Sequence, residues 1–203
     1  MKRFLVSLLL GVACSLVAQA EEASQPELPF DRALINRYSL DHLPRSISIR
    51  QANDFWLGYD LERATLYKAW RAPENKSGLK GSGFVMRSVG QTLYEDKSNE
   101  TWRFQHNGNT MPLDIRYLGC SQREGYFELQ WELKYDKGIL TLHERVPMSP
   151  KNPIAREIHV DSLPSDGQLL LPAPMQKAWK LATAKGDSAS SLSDAQWYQL
   201  TTR

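Results

Sequence analysis

The clearest alternation of apolar and polar positions runs through Phe127-Glu128-Leu129-Gln130-Trp131-Glu132-Leu133. A period of two is that of a strand with one buried face and one polar face. Asp136-Lys137-Gly138 follows as a turn, and Ile139, Leu140 and Leu142 open a second run, so 125–146 reads as a hairpin. Ile47 and Ile49 alternate with Ser46, Ser48 and Arg50. Trp102 and Phe104 lead to Asn107-Gly108, a pair suited to a tight turn with positive φ. Leu113, Ile115 and Tyr117 continue beyond that turn with period two, and Pro112 marks an edge or a strand start. Ile158 with Val160, and Leu169 to Leu171, add short strands, and Trp197 to Leu200 forms a last strand or a short helix.

The stretch NDFWLGYDLERATLYKAW (53–70) also reads as strand, turn and strand, with the turn at Asp60 to Arg63. Strict alternation places Phe55, Leu57 and Tyr59 on one face and sets Tyr67 opposite Trp70. Helical spacing is rare. Phe30, Leu34 and Tyr38 would share one face of a short helix, or else belong to an extended arm. Ser77 to Gly83 and the Ser-rich Lys185 to Ser193 read as loops. Many short, turn-punctuated strands predict a mainly β fold, an antiparallel β-sandwich with few short helices. The expected domain plan is a signal peptide over 1–20, an N-terminal arm over 21–43 and a single β-sandwich domain over 44–203.

The first residues bear on location. Lys2 and Arg3 precede an apolar run from Phe4 to Val17, and Ala18-Gln19-Ala20 has the small-x-small form of a cleavage site. The run is short for a spanning helix, so it predicts a secretory signal cut after Ala20, with an uncleaved anchor as the alternative. Cys14 offers a further alternative, lipidation after Leu10-Gly11-Val12-Ala13. The expected location is periplasmic or secreted, with no integral membrane segment after cleavage.

Cleavage changes the charge balance. Loss of Lys2 and Arg3 from 25 basic residues leaves 23 against 23 acidic ones. A neutral chain gives no bulk electrostatic case for nucleic acid or for an anionic membrane surface. Cys120 is then the one remaining cysteine and has no partner for an internal disulfide. It reads first as a small buried hydrophobe.

No full catalytic motif is present. Gly78-Leu79-Lys80-Gly81-Ser82-Gly83 has closely spaced glycines that could approach an anion, but it lacks the Gly-Lys-Ser/Thr ending of a phosphate loop. His42, His106, His143 and His159 form no metal-ligand spacing, and no CxxCH haem site occurs. No cofactor or metal is expected. His143-Glu144 and His159 could meet across a sheet and act as acid and base, which makes all three weak catalytic candidates. The more ordinary reading is sheet histidines satisfied by a carboxylate. Glu128, Gln130 and Glu132 read as a solvated polar face rather than a glycosidase pair. Six tryptophans are many for a chain of this size. Trp131 belongs to the core. Trp70, beside Arg71 and before a long loop, is the best candidate for an exposed ring that stacks on a sugar, with Arg71 as its polar partner.

Pro44-Arg45-Ser46-Ile47-Ser48-Ile49, Tyr59-Asp60 and Leu66-Tyr67-Lys68-Ala69-Trp70 together carry a family likeness. So do Trp102-Arg103-Phe104, Gly108 and Arg116-Tyr117-Leu118-Gly119 further on. Over 44–146 the chain resembles the β-rich N-terminal module of bacterial periplasmic proteins often linked to c-type cytochrome or sugar-dehydrogenase-like domains. The resemblance implies an accessory role beside an electron-transfer enzyme. It carries no catalytic residue over to this chain, which has no haem motif of its own.

These readings converge on a periplasmic non-catalytic binding or accessory module, with a carbohydrate or a periplasmic protein as partner. A carbohydrate-active enzyme of sandwich fold and an accessory subunit of an electron-transfer enzyme are the alternatives.

Overall fold

The computed structural model describes residues 34–149, 151 and 154–203. The expected signal segment with its cleavage point, Cys14 and Phe30 lie outside the described residues. In chain order the strands are β1 (Ile35–Asn36), β2 (Ser39–Leu40), β3 (Ser46–Arg50), β4 (Phe55–Asp60), β5 (Thr65–Arg71), β6 (Leu79–Ser82), β7 (Val85–Ser88) and β8 (Gln91–Glu95). There follow β9 (Arg103–His106), β10 (Asn109–Pro112), β11 (Asp114–Arg123), β12 (Tyr126–Tyr135), β13 (Gly138–Pro147), β14 (Arg156–Asp161) and β15 (Gly167–Leu170). A short helix, α1 (Ala173–Ala178), precedes β16 (Trp179–Thr183), β17 (Ser188–Ala189), β18 (Ser191–Leu192) and β19 (Tyr198–Thr202).

The fold is mainly β and sandwich-like, built from sheets that are antiparallel apart from the β2–β7 pair. A seven-stranded sheet of order β11-β12-β13-β14-β19-β16-β17 supplies one layer, and a five-stranded sheet, β1-β3-β4-β5-β8, supplies the other. A four-stranded sheet, β10-β9-β15-β18, adds Phe104, Leu169 and Leu192 to the core they share. Alternation explains which side chains enter. Phe127, Leu129, Trp131 and Leu133 of β12 meet Ile47, Ile49, Leu57 and Leu66 of the five-stranded sheet, all with almost no exposed surface. Burial of that apolar area is the main stabilising contribution.

The five-stranded sheet is covered on its far face too. β6, β7 and β2 form a three-stranded sheet whose Leu79, Met86 and Leu40 close over Trp56 and Trp70. Residues 77–83 are therefore not a plain loop, since half of this covering hairpin is made from them. Two further expectations change in the same way. The 185–193 stretch contains β17 and β18, and Ile35 to Leu40 forms two short strands rather than a helix or an arm. Leu40 is fully buried and Asn36 nearly so, so the chain from Leu34 onward belongs to the fold.

The hairpins at 125–146 and 53–70 form where expected, and Trp197 to Leu200 ends in strand β19. At Asn107-Gly108 both residues have positive φ, 50° and 75°, which suits a two-residue turn in a right-twisted hairpin. Its second arm is only Asn109 to Pro112. The chain then crosses at Leu113 to the edge of the seven-stranded sheet, so Ile115 and Tyr117 pair with β12 instead of β9. The break falls beside Pro112, which has no ladder donor. In β5 a bulge displaces the strict alternation. Gly58 pairs with Lys68 and Tyr59 with Leu66, so Tyr67 is the extra residue. Tyr67 consequently packs against the same small core as Trp70, not opposite it.

Candidate functional site

Trp70 and Arg71 do not form a binding platform. Trp70 is 1% exposed, stacks on Trp56 with ring centroids 6.0 Å apart, and donates its Nε1–H to the Gly78 carbonyl at 2.8 Å. The covering hairpin owes its fit to Gly78, where any Cβ would collide with the Trp56 indole. Arg71 is exposed and lies over the Phe55 ring at 5.5 Å, away from any open aromatic face at Trp70.

His143, Glu144 and His159 separate. Adjacent strand residues point to opposite faces. Glu144 therefore enters the core with no exposure, where its Oε1 accepts from Tyr59 Oη–H at 2.6 Å and from Arg156 Nη1–H at 2.7 Å. Arg156 is equally buried and lies over the Trp179 ring at 4.4 Å. Burial would lower the Arg156 pKa, but the neighbouring Glu144 and Tyr59 oxygens outweigh it and hold it above its ordinary value. Burial, with Glu144 beside it, pushes the Tyr59 hydroxyl well above the usual tyrosine value. Glu144 Oε2 and Arg156 Nε and Nη2 find no hydrogen-bond partner among the described residues. This is an internal ion pair, and it removes Glu144 from any surface chemistry with the histidines.

His143 and His159 do meet, as a directly opposed cross-strand pair on the outer face of the seven-stranded sheet, with ring centroids 5.8 Å apart. Register builds three rows on that face: Glu128–Arg145–Glu157, Gln130–His143–His159, and Glu132–Thr141–Asp161. Asp161 bridges the two rings. Its Oδ1 lies 2.7 Å from His159 Nε2, and its Oδ2 lies 2.9 Å from His143 Nε2, a charge contact out of line for a hydrogen bond. His159 Nδ1 faces the Gln196 carbonyl at 3.1 Å, and His143 Nδ1 faces Glu128 Oε1 at 3.4 Å. The histidines are thus partnered by carboxylates, the ordinary reading of sheet histidines.

Glu128 is more than a solvated carboxylate. It is nearly buried, and accepts from Arg145 Nε–H at 3.0 Å and from Gln130 Nε2–H at 3.0 Å. Burial alone would raise its pKa; the hydrogen bonds from Gln130, Arg145 and His143 outweigh that and hold it below the usual glutamate value. At Asp161 burial again acts upward, and the His159 and His143 contacts prevail to lower it. Glu132 keeps the expected surface role in a two-point pair with Arg116.

A tryptophan closes this group from above. Trp197, half-buried just before β19, stacks on His159 at 5.1 Å and meets His143 edge-on at 6.5 Å. The Arg145 guanidinium lies 3.7 Å from the Trp197 ring centroid and 4.8 Å from that of Tyr126, a doubled cation–π contact. Toward Glu157 the face opens into a hollow of about 330 Å³ walled by Pro147, Ser149, Lys151, Gln199 and Thr201. The arrangement offers hydrogen-bonding groups and one large ring beside open space. Three of the four ring nitrogens of His143 and His159 are hydrogen-bonded to an oxygen, and the fourth, His143 Nε2, lies against Asp161 without a hydrogen bond.

One signal in the chain bears on this face. Asp161 lies two residues from His159, the spacing that puts both on one side of a strand. Nothing local links Trp197 to them; β19 pairing with β14 brings it there. Cys120 is half-buried and its thiol is pushed up by burial, so it is a packing residue on β11. Among the described residues, no group of three or more His, Cys, Asp or Glu side chains is arranged to hold a metal ion. No helix among them is long and apolar enough to cross a membrane. The chain matches no protein-family model, no curated protein and no solved structure.

Proposed function

We propose that the chain is a periplasmic, non-catalytic binding or accessory module that holds a carbohydrate on the outer face of its seven-stranded sheet. The observation that carries this is Trp197 set over the His143–His159 pair, with Gln130 and Asp161 beside them, on a sheet face that opens toward Glu157 into a hollow. Sugars present apolar C–H faces and many hydroxyls, and such a site meets both with an aromatic ring and polar groups fixed by one another. The periplasmic part rests on the N-terminal pattern of charge, apolar run and small-residue cleavage site. The hydrogen bonds at three of the four histidine ring nitrogens favour binding over acid–base catalysis.

A glycan array probed with the wild-type chain and with Trp197→Ala tests the reading. Expected is a glycan that binds the wild type and loses at least about tenfold in affinity in the variant, as base or sugar stacking on one aromatic ring is worth about 1–3 kcal/mol. An array without binding removes the carbohydrate class. Binding that Trp197→Ala leaves unchanged moves the ligand off this face.

A further inference from the structure

The covering hairpin does more than bury Trp70; its far end is exposed. β6 and β7 are joined by Gly83-Phe84, with Gly83 at φ 65°, and Phe84 at the tip is 91% exposed. The other large exposed hydrophobics lie between 42% and 54%. Turn tips ordinarily carry Gly, Asn, Asp or Ser, so a bare phenylalanine there is an unusual expense of apolar surface. The hairpin is rooted firmly. Leu79 and Met86 are buried against Trp56 and Trp70, Asp41 accepts hydrogen bonds from Ser88 N–H and Oγ–H, and β2 pairs alongside β7. Phe84 is thus held out on a rigid support.

Behind the tip the hairpin is basic. Lys80 and Arg87 are directly opposed cross-strand partners, both exposed. Like charges at that spacing destabilise a hairpin unless something anionic lies over them, and neither has an acidic partner within ion-pair reach among the described residues. Between 71 and 89 the chain has Arg71, Lys76, Lys80 and Arg87 against Glu74 alone. The neutral total charge of the processed chain therefore conceals a local positive finger. Pairs Gly81–Met86 and Ser82–Val85 separate the basic pair from the turn. At about 3.3 Å per residue this sets the charges roughly 10 Å behind Phe84. That matches the depth, about 5–10 Å, at which apolar groups of surface-bound proteins sit below the lipid headgroups.

We propose that the β6–β7 hairpin docks on an anionic phospholipid surface, with Phe84 in the acyl boundary and Lys80 and Arg87 among the phosphates. A convex tip with one ring needs no shape-matched pocket in a bilayer, whereas a protein partner would have to supply both a pocket and an acidic rim. The contact is peripheral and weak, since one ring and two charges hold it.

Co-sedimentation with vesicles tests this, using the chain from Glu21, which retains every described residue. Vesicles are phosphatidylcholine alone or phosphatidylcholine with phosphatidylglycerol. Expected is binding to the phosphatidylglycerol vesicles only, weakened by salt. Phe84→Ser should lower it at least about tenfold. Lys80→Gln and Arg87→Gln should each lower it about fivefold. Phe84→Ser should keep the wild-type Tm because the ring is exposed, and Lys80→Gln and Arg87→Gln should keep it or raise it slightly by relieving the like-charge pair. No binding by the wild type, equal binding to both vesicles, or binding indifferent to Phe84→Ser would each overturn the proposal. Glycan binding by Phe84→Ser stays at the wild-type level, which separates failure here from failure of the carbohydrate reading.

Discussion

Trp70 and Trp197 each lie on the surface of a sheet near an arginine, yet one is core and the other half-open. Trp70 sits on the far face of the five-stranded sheet, and the chain that follows it folds straight back as β6 and β7 to cover that face. Trp197 lies on the outer face of the seven-stranded sheet, where no further layer is formed by the described residues. Its neighbours are polar: His159, His143, Arg145. An aromatic residue's role is set by what comes to rest on it. Trp70 is covered by side chains of apolar type at alternating positions, Leu79 and Met86, and by a glycine small enough to lie on Trp56. Trp197 is braced by charged and hydrogen-bonded groups that remain partly wet, a surface suited to exchanging water for a ligand.

This contrast can be broken by substitution. Trp70→Ala removes a fully buried ring, its stacking on Trp56 and its hydrogen bond to Gly78, and should cost about 3–5 kcal/mol in urea unfolding. Glu144→Ala tests the two sides of β13 in a similar range. It strands Arg156 in the core and should cost about 3–5 kcal/mol. Replacing Arg156 by Met in that background should return most of the loss, since an apolar pair can fill a partly satisfied ionic site. Gly78→Ala should cost about 1–3 kcal/mol by forcing the covering hairpin off Trp56. Trp197→Ala, by contrast, should cost only about 1 kcal/mol, chiefly its contact with Arg145, while acting on ligand binding. Equal destabilisation by Trp70→Ala and Trp197→Ala would abolish the distinction.

The pH dependence of stability separates the same regions. Glu128 and Asp161 on the open face are held below their ordinary values. Their contribution is present above the unfolded carboxyl values, near pH 4, and is lost as pH falls through the lower folded ones. Glu128→Gln should flatten that acid limb of a Tm-versus-pH curve. Under the cover, burial and the nearby Asp41 and Glu95 push the Tyr67 hydroxyl up to about 12. Its contribution is complete below the unfolded value near pH 10 and disappears as pH rises through the folded value. Tyr67→Phe should soften the alkaline limb and leave the acid limb unchanged.

Much of this was legible along the chain because strand periodicity is local. The 125–146 hairpin, the turn at Asn107-Gly108 and the inward Trp131 follow from alternation and turn chemistry within a few residues. The readings that changed depend on chain meeting chain. Residues 77–83 look like a loop because their glycines and lysine hide a two-sided hairpin; only Leu79 and Met86 face inward. Tyr67 is displaced by one bulged residue, and a one-residue shift exchanges sheet faces. Glu144 looks like a partner for His143 because they are adjacent, and adjacency on a strand is what drives them apart.

Composition, alternation and turn residues were enough to specify strands, their inward faces and a mainly β fold, because each is a property of short windows of chain. Whether Trp70 would be covered, whether Trp197 would reach the histidines, and where Phe84 would point depended on sheet order and long-range register. Those are decided by which distant strands best bury one another's apolar faces, a free-energy balance over the whole chain that no single stretch of it contains.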